Sequence, residues 1–212
     1  MNEYLFSGYR IKSVRQQHGG LECVIQLENE KFTITAADYR RIGEGILVAN
    51  AVIDEEIYAD LEFSSEKLSC IQKSLKHLEY GAMTERKLRM KLRGKFSQES
   101  IDAAIGILKQ NGYIDDLHLA FDFCQEYFVG RRMSPAMIKA KLYNRGFDRD
   151  TVSVVFEEYD FSDEIIRENI EFLVMHKFGE NLSDEQKRKA LGYLIRQGYS
   201  YEDSKSCLEM DY

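Results

Sequence analysis

From Leu142 the chain reads LYNRGFDRD, and from Leu194 it reads LIRQGYSYED. In both, a leucine stands five residues before an aromatic, a glycine directly precedes that aromatic, and a helix-capping residue follows. LRGKFSQES, from Leu92, is a third version with one residue fewer between leucine and aromatic. The glycine permits a left-handed backbone, the aromatic folds back onto the core, and the next residues restart a helix. A chain that repeats such a joint is committed to stacked helical units, because each unit needs a neighbour to bury its apolar face.

Period and caps place the helices between these joints. Leu68, Ile71, Leu75 and Leu78 recur at three and four residues and predict one helix face, with Ser64 or Ser65 as its cap and Gly81 as its end. Thr84 caps a short helix bearing Leu88 and Leu92. Ser97 caps another bearing Ile101, Ala104, Ile105 and Leu108, closed by Gly112. The pattern then restarts. Asp115 or Asp116 opens a long helix that runs through Phe128 and ends near Gly130. Ser134 and Pro135 open a short one, since proline at the first helical position gives up no hydrogen bond. Asp148 opens a third. A last round starts at Ser162, passes the capping-box pair Ser183 and Gln186, and ends in a helix capped by Ser200. Pro135 is the only proline in 212 residues, which suits long uninterrupted helices.

Before residue 64 the pattern is different. Tyr9–Gln16 alternates imperfectly, Leu21, Cys23, Ile25 and Leu27 share one strand face, and Phe32 and Ile34 continue it. Gly19-Gly20 and Glu28-Asn29-Glu30 supply the hairpin turns, and one or two short helices follow over 37–62. The expected fold is therefore mainly α: three tandem three-helix repeats (64–116, 117–160 and 161–212) behind a small strand-rich α+β domain at 1–63.

Composition narrows the function classes. A chain that is 44% hydrophobic and 31% charged can bury a core. A net charge of −7 disfavours coating nucleic acid by bulk charge but leaves room for local basic patches. Cys23, Cys70, Cys124 and Cys207 have no CxxC spacing and read as buried thiols of a reducing cytoplasm. His18, His77, His118 and His176 are scattered, and no phosphate loop is present, so no cofactor or metal is expected. MNEYLFSGYR lacks the features of a signal peptide, and no apolar run reaches membrane-spanning length.

The strings LKQNGYIDDLHLAFDF, AMIKAKLYNRGF and KALGYLIRQGYSYEDSKSCL resemble the RecX family, regulatory proteins of the RecA recombinase. The identifying run is Gly112, Tyr113, Ile114, Asp115 and Asp116, followed by Ala120. The resemblance extends over 64–212 and is weaker over the strand-rich segment. It implies tandem three-helix repeats and a non-enzymatic, monomeric modulator. The resemblance implies a protein that lies in the groove of the RecA–single-stranded DNA filament, with the DNA as a further contact, and depresses ATP hydrolysis and strand exchange. The chain departs from the family at the short first joint and in its acidic balance.

The contact surface is expected among basic residues. Lys87, Arg89, Lys91, Arg93 and Lys95, with Arg86, form a run without acids that leaves Leu88 and Leu92 for the core. Arg131 and Arg132 lie between helices. Lys139, Lys141 and Arg145 follow, the last two four apart on one face. Lys187, Arg188 and Arg196 make a thinner third group. Tyr80, Tyr113, Tyr127 and Phe128 are expected in the core, with base stacking as their other use. Two rival functions remain at this stage: a helix-turn-helix DNA binder independent of RecA, and a metal enzyme using Asp115 and Asp116.

Overall fold

The computed structural model describes residues 8–210, so the first seven residues of the stretch read for a signal peptide lie outside the described residues. Two compact units are present: residues up to Ala82 with Leu88–Ile114, and Met83–Lys87 with Asp115 onward.

In the first unit, β1 (Tyr9–Arg10) pairs antiparallel with β5 (Val52–Ile53). A meander is formed by β2 (Ser13–Gln17), β3 (Glu22–Gln26) and β4 (Lys31–Thr35). The predicted strand Tyr9–Gln16 is thus two strands. Ile11 bonds the chain at Ala51 and Asn50, and Lys12 then donates to the Gln26 carbonyl, so the segment changes partner at Ile11–Lys12. Alternation puts Cys23 opposite Ile34 and Ile25 opposite Phe32, and all four are buried. Leu21 does not join that face and is 73% exposed. It closes the 3-10 turn His18–Gly20 with a helical backbone, so the alternation starts only at Glu22.

Two helices pack on the meander. α1 (Ala36–Ile42) is capped by Thr35. α2 (Glu55–Glu79) runs 25 residues from its cap at Asp54, with Glu55 and Glu56 favouring its N-terminal end. The cap expected at Ser64 or Ser65 is corrected: both lie inside α2, because nothing between Asp54 and Gly81 breaks a helix. Buried Ser64 accepts a hydrogen bond from Arg41 (3.1 Å), and Ser65 accepts one from the Thr33 amide (3.1 Å). Their hydroxyls tie the helix to α1 and β4. The second half of α2 packs on α4 (Gln98–Gln110). There Glu66 accepts from the Ser97 amide (2.9 Å) and the hydroxyls of Ser97 and Ser100. Burial raises the Glu66 pKa, but these bonds outweigh it and the net shift is downward. α3 (Glu85–Leu92) lies between them in sequence, its first turn belonging to the second unit.

The second unit contains α5 (Asp116–Gln125), extended by a π-helical turn at Glu126–Gly130, then α6 (Pro135–Arg145) and α7 (Arg149–Glu158). These enclose Ala120, Cys124, Tyr127, Phe128, Leu142 and Phe147, among others. α8 (Asp163–Phe178), α9 (Asp184–Arg196) and α10 (Tyr201–Cys207) enclose Ile170, Ala190, Leu194, Tyr199 and Leu208. The caps at Ser97, Asp115, Ser134, Asp148, Ser162, Ser183 and Ser200 are those expected.

The joints explain the sequence spacing. The Phe147 amide donates to the Leu142 carbonyl and the Tyr199 amide to the Leu194 carbonyl, each at 3.2 Å across a left-handed glycine. This is the six-to-one bond of a Schellman turn, so the leucine must stand five residues back. The Leu92–Phe96 version is a tighter turn closed by Lys95 on Leu92. The two longer joints share a second bond. Thr84, at the start of α3, donates its hydroxyl to the Arg145 carbonyl (3.3 Å), and Ser134, at the start of α6, donates to the Gln197 carbonyl (2.7 Å). In each case the hydroxyl of one helix start sits on the carbonyl that directly precedes the glycine ending a later helix.

Candidate functional site

The paired aspartates are engaged structurally. Asp115 accepts from the His118 amide and caps α5, while Asp116 accepts from the Glu85 amide (2.9 Å) at the start of α3. Both carboxylates serve backbone donors at helix starts, where negative charge is favoured. Among the described residues no group of three or more His, Cys, Asp or Glu could hold a metal ion.

The basic residues of α3 divide. Arg89 pairs with Asp102, whose pKa is lowered by that bond first. The Lys87 amide is held by Thr84, and its side chain runs beside Gly146. Lys91, Arg93 and Lys95 are exposed, and no carboxylate pairs with them among the described residues.

The second basic group is held by aromatic rings. Phe123 and Tyr127 stack at 5.6 Å, and Tyr127 is buried. Over this pair stand Arg131 (5.2 Å from the Tyr127 centroid), Lys141 (5.7 Å) and Arg145 (4.1 Å from Phe123, 5.6 Å from Tyr127). Three cations from α6 and the loop before it therefore converge on one platform, with Glu126 paired to Arg131. Each cation–π contact contributes about 0.5–1 kcal/mol at an exposed site and limits where the cationic head can go. Lys139 stands apart, over Phe156 at 5.3 Å.

Arg132 does not join its neighbour. Its backbone is left-handed (φ 53°), its guanidinium lies 4.0 Å over Phe172, and Nη1 donates to Asn169 (3.4 Å). Its carbonyl accepts from the Tyr199 hydroxyl at 2.8 Å. Buried Asn169 in turn donates to the Phe128 carbonyl at 2.9 Å. The helix expected to end near Gly130 does end there, and Arg132 just beyond it ties this end to α8 and to the Tyr199 joint after α9. The Arg131–Arg132 pair splits into one cation of the cluster and one structural fastener.

Two expectations about aromatics fail. Tyr127 and Phe128 are core, but Tyr80 is 91% exposed and Tyr113 58%. In the Gly112 turn Ile114 takes the buried place instead. Lys73 on α2 carries no expectation from the sequence, and His77 reads there only as one of four scattered histidines. Burial holds the His77 imidazole below its ordinary value, and the charges of Lys91, Lys73 and Lys95 push the same way. The four-residue spacing that paired Lys141 with Arg145 also pairs Lys73 with His77.

No family model matches the chain. A regulatory protein RecX of Finegoldia magna is 30% identical over 164 residues, covering 73% of this chain and 77% of its own. One from Clostridioides difficile is 26% identical over 161 residues, covering 74% and 70%. A crystal structure of a regulatory protein RecX superposes with a TM-score of 0.75 at 16% identity, covering 95% of this chain and all of the other. The RecX structure from Lactobacillus salivarius gives 0.60 at 19% identity, covering 68% and 95%. At these identities the solved structures speak for the fold: mainly helical, with a small N-terminal strand region. Among the described residues no helix is long and apolar enough to cross a membrane.

Proposed function

The chain belongs to the RecX family, and on that footing we propose that it binds the RecA–single-stranded DNA filament and restrains filament growth, ATP hydrolysis and strand exchange. It acts as a monomer in the cytoplasm, through contact rather than catalysis. The helices from the second half of α2 onward serve as three copies of a three-helix unit; the matching bonds of Thr84 and Ser134 support that reading.

The observation that carries the proposal is the convergence of Arg131, Lys141 and Arg145 on the Phe123–Tyr127 platform. Three like charges held over one pair of rings repel one another, and a partner carrying carboxylates or phosphates relieves that repulsion. Cations already confined by aromatic contacts also lose less freedom on binding than free side chains. Arg132 is removed from the contact set because its side chain and carbonyl are committed internally.

The test is a double reversal, R131E with K141E, in a RecA–single-stranded DNA assay that follows ATPase and filament length together. Inhibition is expected to need about tenfold more protein, equivalent to about 1.4 kcal/mol, with the helical circular dichroism unchanged. Inhibition at the wild-type concentration would overturn the assignment. Specific duplex binding without RecA would favour the helix-turn-helix reading instead.

A further inference from the structure

Two clefts of about 520 and 500 Å³ open along α8, and Cys207 lines both, so they meet at its side chain. Asp163, Arg167, Ile170 and Val174 stand at i, i+4, i+7 and i+11, one stripe of the helix, and that stripe lines first one cleft and then the other. From Asp163 to Met175 the groove runs about 18 Å, at about 1.5 Å per residue. Its other wall is α10, from Asp203 to Glu209 just past the helix end, and Leu182 in the loop after α8 lines the far end. The floor is apolar: Ile166, Ile170, Val174 and Leu208, with Met175 56% exposed. The rim is acidic. Asp163 and Glu164 favour the start of α8, and Asp203 accepts from the Ser200 hydroxyl, so these three have local reasons to be there. Glu168, Glu171, Glu180 and Glu209 have none, and among the described residues no cation pairs with their carboxylates. Of the two cations in the groove, Lys187 already donates to the Glu209 carbonyl (3.1 Å), which leaves Arg167. Glu164, Glu168 and Glu171 stand at i, i+4 and i+7, a spacing at which like charges oppose the helix that carries them. An apolar groove along a helix, rimmed by unpaired carboxylates, is complementary to an amphipathic helix with basic residues beside its apolar stripe. The same rim repels phosphate backbones and acidic peptides.

We propose that the groove between α8 and α10 docks a cationic amphipathic helix of a partner protein. The partner's apolar stripe lies on Ile170, Val174 and Leu208, and its lysines or arginines reach Glu168, Glu171, Glu180 and Glu209. The length fits, since about 18 Å of groove takes about twelve residues of helix, enough for three or four apolar anchors. Long basic side chains suit the rim, because their stems cover apolar wall while their charged heads stay in water. Docking also removes the repulsion among Glu164, Glu168 and Glu171, so the cost that α8 carries alone favours the complex. The site lies wholly within α8–α10, uses no residue of the Phe123–Tyr127 platform and does not rest on the recombinase reading. Cys207, where the two clefts meet, is covered by the docked helix, and its thiol therefore reports occupancy.

The test titrates the full chain, without recombinase, into a fluorescein-labelled synthetic peptide of leucine and lysine, about as long as the groove, with its leucines at helical spacing. Two controls separate charge from shape: a scrambled peptide of the same composition with no apolar face, and the same leucine stripe with glutamate in place of lysine. Anisotropy reads affinity. The rate at which Cys207 reacts with a disulfide reagent reads where the peptide sits, because the other three cysteines are buried. The leucine–lysine peptide is expected to bind about tenfold more tightly than either control and, at saturation, to slow the Cys207 reaction about fivefold. E168K with E171K, on exposed positions of α8, is expected to weaken that peptide about tenfold with the helical circular dichroism unchanged. M175A, which alters no charge, is expected to weaken it about threefold through lost apolar contact. Wild-type affinity in the double glutamate variant, equal binding of the scrambled peptide, or an unprotected Cys207 at saturation overturns the site. If sedimentation shows the chain pairing with itself and E168K with E171K abolishes that pairing, the occupant is a second copy and the partner-helix assignment falls.

Discussion

Replacing Gly198 by alanine, alone and with S134A, measures what the joint between α6 and α9 contributes. Gly198 has φ 79°, so alanine there costs about 1 kcal/mol in backbone strain. Its Cβ would stand 2.7 Å from Ser134 Oγ and 3.3 Å from Met137 Cγ. The hydroxyl must then leave both the Met137 amide it caps and the Gln197 carbonyl it donates to. Losing the cap costs about 1 kcal/mol, and losing the second bond about 1 kcal/mol more. G198A is therefore expected to destabilise by about 3 kcal/mol and S134A by about 2 kcal/mol. In the double variant the clashing oxygen is absent and both bonds are already gone, so only backbone strain is added. The pair should cost about 3 kcal/mol where simple addition gives about 5 kcal/mol. Urea unfolding followed by far-UV circular dichroism, with m-values compared across all four proteins, reads this coupling. Additivity within about 0.5 kcal/mol would refute the argument that hydroxyl and glycine act as one device.

Two other outcomes are expected. Asp38 is buried against Lys67 (2.7 Å), and Thr35 and Arg41 add to that contact. Burial raises its pKa, but the bonds from Lys67 and Thr35 outweigh it and leave the carboxyl below its ordinary 3.8. The charge therefore stabilises the fold above that value and ceases to do so as pH falls through the lower folded value. D38N, which strands a mostly buried lysine, should cost about 3 kcal/mol at pH 7, with the gap to wild type narrowing below about pH 4; a constant gap in acid would refute the pairing. Burial also pushes the Cys70 and Cys124 thiols up to about 11. At pH 8 half-buried Cys207 should react first with a disulfide reagent, while Cys23, Cys70 and Cys124 wait for unfolding. More than one fast thiol per native chain would contradict this.

The helical part was legible because its punctuation is local. A serine or aspartate cap, a left-handed glycine and a leucine five residues before an aromatic each act within one or two turns. What failed depended on distance or on competition. Ser64 looks like a cap until Asp54, ten residues earlier, supplies a start with no breaker between them. Tyr113 follows the same glycine turn as Phe147 and Tyr199, but its neighbour Ile114 takes the buried place, which no local pattern decides. Arg131 and Arg132 are adjacent in sequence, and only the left-handed backbone at Arg132 sends them to different rings. The basic group on α6 could be named from spacing. Its aromatic platform could not, because Phe123 and Tyr127 belong to a different helix. His77 reads as one of four scattered histidines because the charges that act on it are lysines, two of them on another segment.

The unbroken course of α2 makes it a measuring rod with a phase. Each residue advances the helix by about 1.5 Å and turns it by about 100°. Ser65, pinned to Thr33 on β4, and Tyr80 are fifteen residues apart on that rod. Their axial offset is therefore about 22 Å, and four whole turns bring them back within about 60° of the same direction. One residue inserted between them would leave the meander intact and swing the Lys73–His77–Tyr80 face a quarter turn or more away. The small sheet at the beginning of the chain thus sets the bearing of side chains two to four turns further along the helix.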